Sequence, residues 1–394
     1  MLYGFVVKGV RPDIALLRQN GITAVAFTRM NDPKVIPLWF GEGDDVTADF
    51  IREAAKKALD DGQTFYVHTR GIESLRQSIQ SYLESLYARE INPRRISVPG
   101  SAMIGVTIAA QMSLNKGDEA LIVSPHWPNI EATYRITGAK VNMVRQRETE
   151  SGWQLSAAEI INKVTAKTRS IYVNSPCNPT GWVMTRPDQE ELLACCRERN
   201  ILLIADEVYH RCVFGAKAAP SFLEIARDDD PVVVINSFSK AWAMTGWRVG
   251  WVVTPAEQSD HWAMMSECFN TGATVFAQHA CIVALEEGEH VVQELKTQYE
   301  TGAKMVSDIL MGHERIKLAP PRGAFYAFPR IEGIQSSLEF TKRLLQEEDV
   351  GVAPGYTFGP GNDQNIRLCF ARSHEKLQVG LDRIVSFVER YDQP

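Results

Sequence analysis

Five short aliphatic runs, at 120–124 (ALIVS), 140–144 (KVNMV), 170–174 (SIYVN), 201–205 (ILLIA) and 232–236 (VVVIN), constrain the fold of this 394-residue chain most tightly. They lack the strict alternation of a half-solvated strand, as parallel strands covered on both faces do. Segments with apolar residues at three- and four-residue spacing interleave with them, at 50–59, 71–87, 102–114 and 187–197, so the region reads as an α/β domain. Only eleven residues separate Asn236 from Arg248, where a further run at 248–253 begins. That is too short for a helical crossover, so this last strand is expected to run antiparallel. Past about residue 297 come a long polar-apolar helix, a break at Pro320 and Pro321, and shorter strand and helix signals. The expected division is a large domain over 47–296 and a small domain built from 1–46 and 297–394.

Composition excludes several classes of function. A formal net charge of -6 offers no basic face for nucleic acid. Seven scattered cysteines, odd in number and without C-x-x-C spacing, argue against a disulfide framework or a zinc site. No apolar run reaches the length of a membrane span, and no basic region precedes the apolar N-terminal residues, so a cytoplasmic protein is expected. The eight histidines form no i, i+4 pair, and no metal is expected; His126 and His210 draw notice only as neighbours of Trp127 and Tyr209.

In open parallel sheets, ligands bind in the crevice beyond the carboxyl ends of the strands. Three polar clusters follow strands there: NSPCNPTG at 174–181, DEVY at 206–209 and SFSK at 237–240. Singly, each has an ordinary explanation. Asn-Pro and Thr-Gly form turns, an Asp after a strand caps a helix, and a lone Lys is solvated. Together they bring an amide, a carboxylate, a phenol, hydroxyls and an amine to one edge of the sheet.

With these clusters, and with GEGDD at 41–45, FYVHTRGIESLR at 65–76, PGSAM at 99–103, SPHW at 124–127, SFSKAWAMTGWRVG at 237–250, GAFY at 323–326 and IRL at 366–368, the chain resembles the class I/II aminotransferases of pyridoxal-phosphate fold type I. The resemblance runs from about Gly41 to Arg367. It implies a mostly parallel, seven-stranded type of sheet flanked by helices, with a smaller α+β domain. It further implies pyridoxal 5'-phosphate as cofactor, transfer of an amino group from an L-amino acid to a 2-oxo acid, and a homodimer with shared active sites.

Residue by residue, the resemblance makes Lys240 the amine of the cofactor's Schiff base. Asp206 faces the pyridine nitrogen, where a carboxylate favours the protonated ring. Asn178 and Tyr209 donate to the ring's phenolic oxygen, and Trp127 stacks on the ring. Gly100, Ser101 and Ala102 open a predicted helix whose free N–H groups suit a phosphate, with Ser237, Ser239 and Arg248 completing the cradle. Tyr66 reaches the phosphate of the neighbouring subunit. Arg367 holds the substrate α-carboxylate through its planar fork, and Gly41 lets the backbone approach the same group.

Some positions depart from the pattern. One aspartate-using subgroup carries a Lys directly after the glycine of the phosphate turn, where this chain has Ser101; this weakens a dedicated aspartate enzyme, unless Arg70 or Arg11 serves the distal carboxylate. Gly43 stands where many relatives have Pro. The rival reaction on the same cofactor residues is β-elimination from a sulfur amino acid, a carbon–sulfur lyase. A dinucleotide site at 41–43 is rejected because Val46 stands where a third glycine belongs. A ligand-sensing transcriptional regulator on this fold would require an N-terminal DNA-binding extension.

Overall fold

The computed structural model describes residues 8–391 except 16 and 18. Seven strands form the central sheet: β1 Ile96–Gly100, β2 Glu119–Ser124, β3 Lys140–Arg145, β4 Thr168–Asn174, β5 Leu202–Asp206, β6 Val232–Ser237 and β7 Gly250–Val253. Their spatial order is β1-β7-β6-β5-β4-β2-β3. Strands β2 to β6 are mutually parallel, and β7 runs antiparallel to both β6 and β1. The expected reversal at the last strand has a visible cause. The return from β6 holds only a single helical turn, Phe238–Ala241, and a 3-10 turn, Thr245–Trp247. Arg248 is not part of β7 as the sequence had implied; it adopts a left-handed conformation, φ 57°, that redirects the chain into the strand. Strand β1 was not anticipated, because ISVPG is short and contains a proline; it lies at the edge of the sheet, where a missing N–H is tolerated.

Both faces of the sheet are buried, and alternate residues of one strand enter different cores. Ile171, Val173, Leu203 and Ala205 pack into one core, while Tyr172 and Ile204 pack into another with Val106, Ile108 and Ala109 of the helix Ala102–Ser113. This double burial explains why the runs show no polar alternation.

A further core gathers residues between Leu295 and Tyr391, joined by Leu38, Tyr209 and Cys212. The N-terminal segment is tied to it through Ile36–Pro37, which pairs in parallel with Val350–Gly351. The helix Glu289–Leu310 serves both regions. Val292 belongs to the core that holds Ile171 and Leu203, and Leu295 and later residues pack in the other core, so the expected boundary at 296/297 falls inside one continuous helix.

Candidate active site

The register of the sheet sets up the site. Asn174 pairs with Asp206 across β4 and β5, Asp206 pairs with Ile235, and Ser237 lies two residues further along β6. Parallel strands thus deliver their polar ends to one edge. There a pocket of about 240 Å³ collects Ala102, Trp127, Asn178, Asp206, Tyr209, Ser237, Ser239, Lys240 and Arg248 with Gly41 and Arg367 from distant parts of the chain.

Lys240 projects from the turn after β6, and its Nζ donates to the carbonyl oxygen of Gly41 at 2.6 Å. Burial pushes the amine down to about 8, against the opposing pull of Cys369, Glu42 and Cys212. An amine so placed is partly neutral near physiological pH, as a nucleophile or base requires.

Asp206 is 5% exposed. Its Oδ2 accepts a 2.5 Å hydrogen bond from the hydroxyl of Tyr172, and its Oδ1 accepts a long one, 3.3 Å, from the Val208 N–H. Burial raises the carboxyl to about 6, opposed by Tyr172, Val208 and Lys240. Such a carboxylate gains from a cationic partner in the pocket.

Arg367, in the strand Ile366–Cys369, is 2% exposed. Its Nη1 donates to Asn178 Oδ1 at 3.0 Å, and its Nη2 donates to the Trp39 carbonyl. The guanidinium carbon lies 4.5 Å from the ring centre of Tyr326 and 5.0 Å from that of Phe358. Its Nε has no hydrogen-bond partner among the described residues. Two of five donors are committed to protein, which leaves a fixed fork with capacity for a carboxylate.

At the opposite wall, Ser101 caps the helix Ala102–Ser113, accepting from Ile104 N–H at 3.4 Å. The Ser237 hydroxyl donates to Ser239 Oγ at 2.9 Å. Arg248 is exposed and anchored by a 2.8 Å bond to the Thr245 carbonyl. Gly250 brings β7 against the start of this helix, since a Cβ there would lie 2.5 Å from the Asn236 carbonyl and 2.9 Å from the Ala102 nitrogen. Helix N–H groups, hydroxyls and a guanidinium therefore surround one end of the pocket, a donor set for a phosphate.

Some expected residues lie elsewhere. Gly100 and Ser101 are not among the pocket-lining residues, which begin with Ala102 on this wall. Tyr66 is 90% exposed and belongs to a separate surface hollow with 63–67 and 270–276. The Arg70 guanidinium is buried on Ser97, Ser259 and the carbonyls of Pro93, Arg94 and Ile96, away from the pocket, so it is not available for a distal carboxylate. Arg11 donates to the Ile136 carbonyl and does not line the pocket either. His210 bonds Tyr82 at 2.8 Å, and burial drives it down to about 3. His126 is buried with its Nε2 3.7 Å from Glu131, a carboxyl that it and Arg135 pull down to about 2. Among the described residues no group of three or more His, Cys, Asp or Glu is placed to hold a metal ion, and no helix is long and apolar enough to cross a membrane.

Sequence reasoning missed several contributors. Tyr326 bonds Tyr209 hydroxyl to hydroxyl at 2.8 Å and underlies Arg367, a role that the GAFY motif alone does not reveal. Gly41 is explained by the same residue, because a Cβ at Gly41 would sit 1.8 Å from the Tyr326 hydroxyl. Asn174 organises the turn, accepting from Asn178 N–H at 2.8 Å and donating to the Asp206 carbonyl at 2.9 Å. Asn20, Ile22 and Thr23 line the pocket from the N-terminal segment. Tyr172 carried one signal, a lone phenol within an aliphatic strand.

Sheet and pocket together define a class: an α/β enzyme whose crevice is equipped for a phosphorylated, ring-bearing cofactor and a small carboxylate substrate. Residues 33–384 match the family of class I and II aminotransferases, and the chain belongs to that family. It is a pyridoxal-phosphate-dependent aminotransferase acting on amino acids. An aspartate aminotransferase of Pyrococcus horikoshii is 33% identical, over 92% of each chain. The structure of Thermus thermophilus aspartate aminotransferase with maleate superposes with a TM-score of 0.89 at 27% identity, covering 96% of this chain and 100% of that one. An aromatic aminotransferase of Pyrococcus horikoshii gives a TM-score of 0.85 at 31% identity, covering 93% and 98% respectively.

The residues present fit this cofactor. A buried carboxylate with no cation hydrogen-bonded to it among the described residues, an amine of lowered basicity and a helix start ringed by hydroxyls and Arg248 match the pyridine nitrogen, the aldehyde and the phosphate in turn.

Proposed function

We propose that Lys240 holds pyridoxal phosphate through its Nζ and moves the proton of the substrate α-carbon, with an L-amino acid as donor and a 2-oxo acid as acceptor. The observation that carries this reading is the convergence of the Lys240 amine, the buried Asp206 carboxylate and the Arg367 guanidinium on one pocket. When bound, the cofactor supplies an electron sink for charge that develops on the α-carbon.

In this reading Asp206 stands at the pyridine nitrogen, Asn178 and Tyr209 at the phenolic oxygen, and Trp127 against the ring. Gly100, Ser101 and Ala102 with Ser237, Ser239 and Arg248 hold the phosphate. Gly100 and Ser101 contribute by setting the helix start that Ala102 presents. Arg367 fixes the substrate α-carboxylate and so orients the α-C–H bond toward Lys240, a positioning effect that removes much of the entropic cost of the reaction. The Gly41 carbonyl steadies the Lys240 amine.

Tyr66, solvent-exposed beside Phe65, is assigned to the site of a second subunit, so the working unit is a homodimer. The large domain is assigned to 47–296 and the small one to 1–46 with 297–394, the boundary lying inside the helix Glu289–Leu310. Seven cysteines, none in a disulfide, support a cytoplasmic setting.

The test is purified protein loaded with pyridoxal phosphate and given a panel of amino donors with 2-oxo acid acceptors. Stoichiometric oxo-acid formation without ammonia is expected, and Lys240→Ala is expected to lose turnover by several orders of magnitude. Turnover by Lys240→Ala at the wild-type rate would refute the assignment, and ammonia released with pyruvate from a cysteine conjugate would indicate elimination instead.

A further inference from the structure

Strand β4 is aliphatic at its centre apart from Tyr172, which is fully buried. Tyr172 pairs in register with Ile204 and shares its face of the sheet, so its hydroxyl reaches forward along β5 to Asp206 Oδ2, 2.5 Å away. The same strand end also holds the main chain of Asp206, whose carbonyl accepts from Asn174 Nδ2 at 2.9 Å and from Ser175 N–H at 3.1 Å. Asp206 is thus gripped at backbone and carboxylate from one neighbouring strand.

We infer that Tyr172 is a positioning residue: by donating to Oδ2 it keeps Asp206 ionised and sets the rotation of the carboxylate in the pocket, extending cofactor binding to lower pH. The inference rests on the assignment of Asp206 to the pyridine nitrogen.

Burial raises the Tyr172 phenol well above its ordinary range, so it stays protonated and acts only as a donor toward Asp206. The other titratable groups that act on Asp206 are Lys240 from the turn after β6, Tyr209 on its own segment and Cys177 beyond β4. Burial raises both the Tyr209 phenol and the Cys177 thiol and keeps them neutral. Among the described residues of the cofactor-free chain Lys240 is then the charged group acting on Asp206. Two neutral donors, the Tyr172 hydroxyl at 2.5 Å and the Val208 N–H at a long 3.3 Å, oppose the effect of burial at every pH, and Tyr172 is the stronger of them.

The experiment uses the full chain freed of cofactor. The Asp206 carboxyl is titrated by carbon-13 NMR, and the dissociation constant of pyridoxal phosphate is measured as a function of pH. In Tyr172→Phe both midpoints are expected to rise by about one pH unit, the tenfold change in proton affinity that a hydrogen bond to a charged group carries. Tyr172→Leu, which also lacks the donor, gives the same upward direction. Tyr134→Phe, which loses a buried 2.8 Å hydroxyl bond to Ser170 on the same strand, leaves both midpoints in place. In an Asp206→Asn background Tyr172→Phe has no effect on cofactor affinity. An unmoved carboxyl midpoint in folded Tyr172→Phe and Tyr172→Leu overturns the role of Tyr172. A raised midpoint with unchanged pH dependence of cofactor affinity overturns instead the placement of Asp206 on which it rests.

Discussion

Gly41→Ala is expected to damage both stability and catalysis through one atom, the hydroxyl of Tyr326. A Cβ on residue 41 would lie 1.8 Å from that oxygen, 3.0 Å from Cζ and 3.4 Å from Cε1. Non-bonded contacts sit near 3.5 Å, so the hydroxyl must retreat by roughly 1.7 Å. Tyr326 is 1% exposed and packs with Phe325 and Tyr209 at ring-centre separations of 4.9 and 5.7 Å, which closes its escape routes. Retreat breaks the 2.8 Å bond to Tyr209 and disturbs the ring beneath Arg367. Overpacking costs about 1–3 kcal/mol and the lost hydrogen bond about 1 kcal/mol, giving a destabilisation of about 2–4 kcal/mol. Misplacement of the Arg367 fork by about 1 Å lowers kcat/KM by roughly a hundredfold.

The informative comparison adds Tyr326→Phe, which deletes the clashing oxygen and leaves contacts that a shift of a few tenths of an ångström relieves. Tyr326→Phe alone loses the hydroxyl pair at a cost of about 1 kcal/mol. Combined with Gly41→Ala, it restores most of the stability lost by the glycine variant, a coupling of at least about 1 kcal/mol in a double-mutant cycle. Denaturant unfolding of the cofactor-free proteins measures the stability, and initial rates with an amino donor measure the catalysis. Strict additivity of the two substitutions, or a Gly41→Ala protein as stable and active as wild type, would refute the reasoning.

Two further outcomes follow from the site. Arg367→Lys keeps a positive charge but cannot span Asn178 and a carboxylate together, so KM for the amino donor rises roughly tenfold to a hundredfold, the worth of one lost charge-assisted bond; unchanged steady-state kinetics would remove Arg367 from the substrate site. Glu207, 3% exposed and bonded to the Ser221 hydroxyl and the Phe222 N–H, is raised by burial to about 8. Its folded value lies above the unfolded one, so its contribution to stability is complete below the unfolded carboxyl range and is lost as pH rises through about 8. The melting temperature of the cofactor-free protein should therefore fall between about pH 6.5 and 8, above the range of Asp206, and Glu207→Gln should flatten that fall; an identical slope in the variant would show that another group is responsible.

The sequence by itself determined the α/β architecture, the reversal of β7 and the set of polar strand ends that became the pocket. These are local properties. Double burial writes itself as uninterrupted aliphatic runs, and a short return between strands excludes a crossover wherever the rest of the chain lies. Strand β1 escaped notice because five residues with a proline carry little local signal and acquire a ladder only beside β7. The outcomes for Arg70 and Arg367 show the same limit. The IRL motif singles out Arg367 and nothing local singles out Arg70, but only packing buries the first over the rings of Tyr326 and Phe358 and the second on backbone carbonyls.

Tertiary structure alone decided which groups face each other across long separations: Gly41 under Tyr326, Lys240 on the Gly41 carbonyl, Arg367 on Asn178 and the carbonyl of Trp39, and Tyr172 on Asp206. Periodicity specifies which face of an element is buried. It does not specify the partner met there, because that depends on strand register and on how the cores close against one another, which are properties of the whole chain.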